Sequence, residues 1–375
     1  MRRRPTTKAG IVGAVGSVLV VVATTAQAGW LFVLAAGVLG LAASGLVAGH
    51  RLAAVEVVHS FPARARVGEP VAVRLRVRGP GTRRLPLMRI EDRFPAFDPL
   101  AVASEAVAAG DSVAVETTRV AVRRGVFEEG TAVVSTGAPF GLTRTRRELP
   151  VRSRLIVHPA WTELRGFPLP DTPAATADEA IAATRSGHGD VFAGVREYRP
   201  GDQRRWIHWR STARTGRLVV REHEEPSRSP VVLVLSGDPE PHEEQVWEAL
   251  VAAAASVGVH ALTQGRLVHC VCAGSSDPLD GATAATLLDW CAGVEPAGPG
   301  AVAGVGAAFA RWGRRCSFVL FAPPHPDTEE AVAAALARGA GVTAVYGAEE
   351  HAAPAAAAPA RIVRPGEELR ACLEA

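Results

Sequence analysis

The chain changes hydrophobic pattern three times. From Ala9 to Gly49 no charged residue occurs. A run of about 40 residues is roughly twice what one helix needs to cross a bilayer. Thr24, Thr25 and Gln27 interrupt it near the middle. Two apolar helices over 10–25 and 29–48 are therefore predicted, with Trp30 at the interface beside the turn. Over 51–160 the period falls to two. In PVAVRLRVR, Val71, Val73, Leu75 and Val77 alternate with Ala72, Arg74, Arg76 and Arg78, the pattern of a strand with one buried and one wet face. VEVVHS, LMRIEDRF, SVAVETTRVAV, TAVVST and RLIVHP are similar runs, and Gly79-Pro80-Gly81 and Ala109-Gly110-Asp111 punctuate them as turns. Such spacing predicts a β-sandwich-like domain. Over 228–347 the strands become continuous apolar runs, PVVLVLSGD, RLVHCVCAG, CSFVLFAP and GVTAVYG. Helical stretches separate them, the first over about 242–264 with Val246, Leu250 and Ala253 or Ala254 on one face. Buried strands alternating with helices predict a doubly wound α/β domain with a parallel sheet.

Charge adds a topology. Arg2, Arg3, Arg4 and Lys8 precede the apolar run, and Arg51, Arg64 and Arg66 follow it, while the turn carries neither Lys nor Arg. Two spans put both basic flanks on one side, which the positive-inside rule makes cytoplasmic. The expectation is a multi-pass cell-membrane protein with cytoplasmic soluble domains and lipid around 10–48. The rival is a cleaved signal peptide, because ATTAQA resembles a cleavage site. The second apolar run, which follows at once, favours the hairpin.

The net charge of +3 over 375 residues gives no global pull toward nucleic acid, and no nucleic-acid partner is expected. The cysteines, Cys270, Cys272, Cys291, Cys316 and Cys372, are odd in number and form no CxxC pair, so they define neither a disulfide framework nor a zinc ribbon. Residues 161–186, Pro/Ala/Asp-rich from 166 on, read as a linker. Residues 348–375 read as an Ala/Pro spacer followed by a last strand and short helix.

The stretch GHGDVFAGVREYRPGDQRRWIHWRSTARTGRLVVREHEE, from Gly187 to Glu225, is the most polar and arginine-rich in the chain. Over 187–227 it reads as strand, short helix, strand. The first strand, Val191–Tyr198, would align Phe192, Arg196 and Tyr198. Asp202 would cap a helix over about 203–213, with Arg205 and Trp209 on one face. Gly216 would close that helix, and a second strand would run from Arg217 to His223. Trp206 and Trp209 read as packing anchors, and the interleaved acids and arginines as an internal salt-bridge network.

This stretch resembles the signature of the bacterial domain-of-unknown-function 58 family, whose pattern runs G-x-G-x-x-F-x-G-L-R-E-Y-x-P-G-D-x-x-R-x-I-D-W-x-x-S-A-R. Gly187, Gly189, Phe192, Gly194, Arg196, Glu197, Tyr198, Pro200, Gly201, Asp202, Arg205, Ile207, Trp209 and Arg214 match it, with Val220, Arg221 and Glu222 beyond. Upstream, RRGVF, PFGL and VHP resemble the family's β-region landmarks. His208 stands where the family usually has Asp, Thr212-Ala213 shifts the usual Ser-Ala, and Ala138 replaces the usual Asp before Pro-Phe-Gly-Leu. The resemblance implies a von Willebrand factor A-like α/β domain and a MoxR-type AAA+ ATPase as partner. Where such domains carry D-x-S-x-S for a metal, this chain has Ser236, Asp238 and Glu240 as degenerate positions, so no metal and no cofactor are expected.

No GxSxG, Walker loop, HExxH or GxGxxG occurs. The chain reads as a non-enzymatic, membrane-anchored scaffold binding protein partners, other membrane proteins among them. The residues expected to carry partner binding or the signature fold are Arg196, Glu197, Tyr198, Gly201, Asp202, Arg205, His208, Trp209, Arg214, Arg221 and Glu222. Two alternatives stand beside it. One is a hydrolase using signature residues such as Asp190, Glu197, Asp202 or His208, with Ser211 three residues on. The other is a metal-dependent adhesion domain.

Overall fold

In the computed structural model, which describes residues 2–50, 52, 55–79, 84–137, 140–170, 191–199, 207–224, 229–236, 244–273, 278–296, 301–312, 316–348 and 358–374, the uncharged run folds as two helices. These are α1 (Thr7–Ala26) and α2 (Gly29–His50). Thr24 and Thr25 do not break α1, because their hydroxyls donate to the Val21 and Val22 carbonyls within the helix. The chain reverses at Gln27, which takes a left-handed φ of 49°. The helices approach closely where small residues allow it: a Cβ on Gly16 would fall 2.8 Å from a Leu39 δ-carbon.

The hairpin belongs to the first of two units, Met1–Ala160. This unit contains β1 (Arg2–Pro5), β2 (Glu56–Ser60), β3 (Arg64–Arg66), β4 (Pro70–Arg78), β5 (Met88–Arg93), β6 (Leu100–Ser104), β7 (Ser112–Val120), β8 (Gly125–Thr136) and β9 (Thr143–His158). Among the described residues they form a sheet in the order β1-β9-β8-β5-β6, with β3 also on β9, and a second sheet, β2-β4-β7. The alternation in β4 is realised residue by residue, with Val71, Val73, Leu75 and Val77 buried and the arginines exposed. Val57 and Val77 of one sheet share a core with Ile90, Val134 and Val151 of the other. A second core joins Val73 and Leu75 to Phe94, Phe127 and Leu155.

Both ends of the hairpin are fastened to β9. Arg2–Pro5, which sequence reasoning reads only as a basic flank, adds an antiparallel edge strand, with Arg4 opposite Arg144 and Pro5 opposite Thr143. Thr6 precedes α1 but does not cap it with its side chain. Its N–H donates to Leu142 O at 2.9 Å, and its hydroxyl lies 2.9 and 2.8 Å from the Gly141 and Leu142 carbonyl oxygens. At the other end, Arg147 Nη1 donates to Leu52 O at 2.8 Å, just past α2.

The second unit, Trp161–Ala375, is built on five described parallel strands: β12 (Val231–Leu235), β13 (Val268–Cys272), β14 (Ser317–Ala322), β15 (Val342–Gly347) and β16 (Ala360–Val363). Their order is β13-β12-β14-β15-β16, one of the two common doubly wound orders. On one face lie α4 (Glu244–Thr263), α5 (Ala284–Gly293) and α8 (Leu369–Glu374), packed on Leu233, Val319 and Val345. On the other lie α6 (Ala301–Trp312) and α7 (Pro326–Ala337), packed on Val232, Phe318 and Leu320. α4 is apolar and long enough to cross a bilayer, but its residues from Val246 to Ala261 are almost all buried in this core. Residues 161–170, which composition assigns to a linker, instead lie along the first face. Phe167 is buried there, Thr162 N–H donates to Ser256 Oγ at 3.0 Å, and the Leu164 carbonyl meets His260 Nδ1 at 3.1 Å. Residues 171–186 lie outside the described part, as does the spacer over 349–357.

Candidate functional site

The signature stretch begins as β10 (Val191–Glu197), paired antiparallel with β11 (Val219–Glu224). The register shifts between Phe192 and Gly194, so the two-residue period expected to align Phe192 with Arg196 is interrupted by a bulge. Arg196 stands opposite Val220 and Glu197 opposite Val219, while Arg221 and Glu222 pair through their backbones with Val195 and Gly194. Tyr198 is half-buried and donates its N–H to Leu218 O at 2.8 Å. The Glu197 carboxylate receives Arg217 Nη1 at 2.7 Å, a pair that holds the Arg217 guanidinium above its ordinary value. This pair lies in water and fastens the edge of the ribbon only weakly.

Of the helix expected over 203–213 with Asp202 as its cap, residues 202–206 lie outside the described residues, and the described helix begins only after His208. Ile207 bridges to Val220, His208 N–H donates to Val219 O at 2.8 Å, and α3 runs only from Trp209 to Thr215. The N-cap is His208, whose Nδ1 accepts the Ser211 N–H at 3.3 Å and lies 2.7 Å from Ser211 Oγ. With Nδ1 as acceptor, the ring proton is assigned to Nε2. At the far end Gly216, at φ 69°, returns its N–H to Thr212 O, the left-handed close that glycine alone adopts freely. Thr212 Oγ1 accepts the Val219 N–H at 3.1 Å, tying the helix to β11.

No residue of α3 is buried. Trp209, expected as a packing anchor, is 67% exposed. Leu218 is 46% exposed, and Arg214 is exposed in the last turn. Gly201, Asp202, Arg205 and Trp206 lie outside the described residues, as do Asp190 and the turn over 187–190.

Of the degenerate metal positions, Ser236 directly follows β12, and Asp238 and Glu240 lie outside the described residues. Ser236 is buried, donates its N–H to Phe321 O at 2.8 Å, and among the described residues its hydroxyl has no hydrogen-bond partner. It stands where β12 meets β14, the point at which doubly wound sheets open a crevice beyond their strand ends.

Two polar clusters escape sequence reasoning because their members are far apart along the chain. On the edge strand β13, His269 Nδ1 lies 3.2 Å from Asp280 Oδ1. Arg311 Nη2 reaches Asp280 Oδ2 at 2.6 Å, and Trp312 Nε1 donates to Oδ1 at 3.1 Å. The Arg311 hydrogen bond holds the Asp280 carboxyl below its ordinary range, opposed by partial burial and assisted by Trp312. The cluster clips the end of α6 to the sheet edge. In the first unit, Asp92 is buried between His59 Nε2, 3.0 Å away, and Arg119. Arg119 also donates to the Asp98 carbonyl and lies 4.7 Å from the Phe97 ring centroid.

The second unit is thus a parallel-sheet α/β domain preceded in sequence by a small capped strand–helix–strand insert, in a chain that starts with two apolar helices and a two-sheet β unit. Residues 194–277, which run from the insert through the strand β13, match the family described as Protein of unknown function DUF58. That match supports the family resemblance carried by the signature residues. No curated protein matches the chain. Among solved structures, the CARDB domain of a Pyrococcus furiosus protein is similar at 10% identity, over 26% of this chain and 86% of that one, with a TM-score of 0.19. A β-glucosidase from Listeria innocua is similar at 14% identity, over 27% and 16%, with a TM-score of 0.15. Likenesses of this size carry no argument about activity.

Proposed function

We propose that this chain is a membrane-anchored adaptor. α1 and α2 cross the bilayer as a hairpin, both soluble units face the cytoplasm, and the signature insert presents a docking surface to a protein partner. The observation that carries the reading is the exposure of the hairpin. Ile11, Val18, Trp30 and Val33 are 61, 61, 69 and 75% exposed on helices with no charged residue from Ala9 to Gly49. Contiguous apolar surface of that kind is stable only against lipid or another apolar partner. The attachment of both hairpin ends to β9 supports an even number of crossings. The resemblance makes a MoxR-type AAA+ ATPase the first partner to test, and Trp209, Leu218 and Arg214 are the exposed groups of the insert that would meet it, Trp and Arg being the residue types that anchor protein interfaces. A von Willebrand factor A-like role for the α/β unit belongs to the same proposal.

A reporter fused to the C-terminus is expected to be active in the cytoplasm and silent outside it. Recovery of an AAA+ ATPase with the detergent-solubilised chain, lost in W209A, is the second expectation. External reporter activity refutes the topology, and recovery unaffected by W209A refutes the docking surface. A hydrolase reading has one observation in its favour, the 2.7 Å approach of His208 Nδ1 to Ser211 Oγ. The same nitrogen serves the helix cap, which accounts for the geometry without chemistry. Hydrolytic activity lost in both H208A and S211A, with folding retained, would reverse that judgement.

A further inference from the structure

The edge strand β1 assembles a basic surface that the sequence does not display. Cross-strand register places Arg2 opposite Arg146, Arg146 opposite Ser135, and Ser135 opposite Arg89. One step nearer the hairpin, Arg4 stands opposite Arg144. Arg4, Arg89, Arg144 and Arg146 are exposed, while the intervening Thr143, Thr145 and Thr136 are buried, so the arginines share the outer face of the sheet. The Arg4–Arg144 pair sets like charges directly opposite on neighbouring antiparallel strands, which opposes the pairing of β1. Among the described residues no acidic group comes within ion-pair distance of these four arginines. The acid most affected by them is Glu91, whose carboxylate is bonded to Arg93 at 2.5 Å and only felt at range by Arg146 and Arg89. The outer face of the other sheet is balanced differently, since Arg74 there is neutralised by Glu116 at 2.5 Å.

The position of this surface names its counter-charge. Arg4 is three residues before Thr7, the first residue of α1, or about 10 Å of extended chain. We infer that Arg4, Arg89, Arg144 and Arg146 form a collar that binds the anionic phosphate headgroups of the membrane the hairpin spans. Planar guanidinium forks pair bidentately with phosphate oxygens, and basic groups this close to an anionic leaflet are strongly attracted to it. Headgroup binding removes the repulsion between Arg4 and Arg144 and so locks β1 onto β9. The inference rests on the membrane reading proposed above.

The full chain, reconstituted in phosphatidylcholine vesicles with trace spin-labelled phosphatidylglycerol or spin-labelled phosphatidylcholine, tests it. The readout is the preference for immobilising the anionic lipid. Wild type is expected to prefer phosphatidylglycerol, and R4Q/R89Q/R144Q/R146Q to lose at least about fivefold of that preference, the equivalent of one interfacial arginine. R146Q alone, with β1 otherwise intact, is expected to lose part of it. R74Q/R76Q/R78Q, which removes charge from the other sheet, should leave it unchanged, and so should excess inorganic phosphate. A quadruple variant that keeps the wild-type preference overturns the collar, as does equal loss in the control variant or abolition by free phosphate. Alkaline washing separates the two failures. A chain washed off the vesicles never inserted, and the membrane reading falls with the collar; a chain that stays without lipid preference fails the collar alone.

Discussion

Replacing Asp92 with alanine is expected to loosen the first unit more than any other single truncation of a polar side chain there. Asp92 has no solvent exposure and is held by Arg119, whose side chain is 5% exposed, with His59 Nε2 3.0 Å away on its other side. In D92A the guanidinium of Arg119 keeps only the Asp98 carbonyl and the face of Phe97. Removing one partner of a buried ion pair costs about 3–5 kcal/mol, because the other charge stays buried without compensation. At about 1.4 kcal/mol per tenfold, that raises the open population by roughly two to nearly four orders of magnitude. The chain has two units, so one melting temperature would mix their transitions. Hydrogen exchange of peptides from β4, β5 and β7 reads the first unit alone. Those peptides should exchange about a hundredfold to several thousandfold faster in D92A, with β12 and β14 unchanged. D92L/R119M, which removes both charges and keeps apolar volume, should recover most of the loss. Exchange in D92A within about threefold of wild type, or a double variant as damaged as the summed singles, would refute the reasoning.

Four further outcomes follow from the geometry. H208D should keep the α3 cap, since a carboxylate also accepts the Ser211 N–H, whereas H208A should cost about 1 kcal/mol, read as faster exchange across 209–215. G258A should destabilise the second unit by about 1–3 kcal/mol in urea unfolding, because the new methyl would lie 2.6 Å from Leu287 and 2.7 Å from Leu233. Asp280 has a folded carboxyl held below its unfolded value, so its contribution is present above the unfolded value and is lost as pH falls through the folded one. D280N should therefore loosen the end of α6 at neutral pH, and the difference from wild type in limited proteolysis should vanish in acid. Burial pushes the Cys270 thiol well up, with Cys291 adding to it, so in mildly alkaline buffer a thiol reagent should label Cys270 only on unfolding.

What the sequence makes legible depends on how local the physics is. The α/β unit follows from runs such as VVLVL and SFVLFA, in which every residue is buried, and from helices whose apolar positions recur at helical spacing. β4 follows from strict alternation. Arg2–Pro5 was hidden because an edge strand is recruited by register against β9, 140 residues away, and its own pattern is four residues of charge and proline. Residues 161–170 read as a linker in sequence because proline content reports backbone stiffness, not what the apolar residues between the prolines will find. Phe167 and the Leu164 carbonyl find α4. The Asp92 and Asp280 clusters were invisible for a similar reason: each needs three or four strands and loops to converge before its charges meet.

The signature stretch shows where local rules compete. Both Asp202 and His208 precede a plausible helix, and Asp is among the preferred capping residues. The chain nevertheless starts α3 at Trp209, because Ile207 and His208 are already committed to β11 through the bridge to Val220 and the hydrogen bond to Val219 O. A residue extended against a strand cannot also be helical, so the first position free to begin is 209, and the residue before it must cap. His208 can do so because Nδ1 offers an acceptor. An aspartate at the same position would also supply that acceptor, so the cap accounts for the side chain here without a proton-transfer role. Trp209 is therefore the first residue of a seven-residue helix that buries nothing, and is itself exposed. A tryptophan 67% exposed on a helix that buries nothing adds little to packing, so W209A tests the docking surface proposed above and not the stability of the insert.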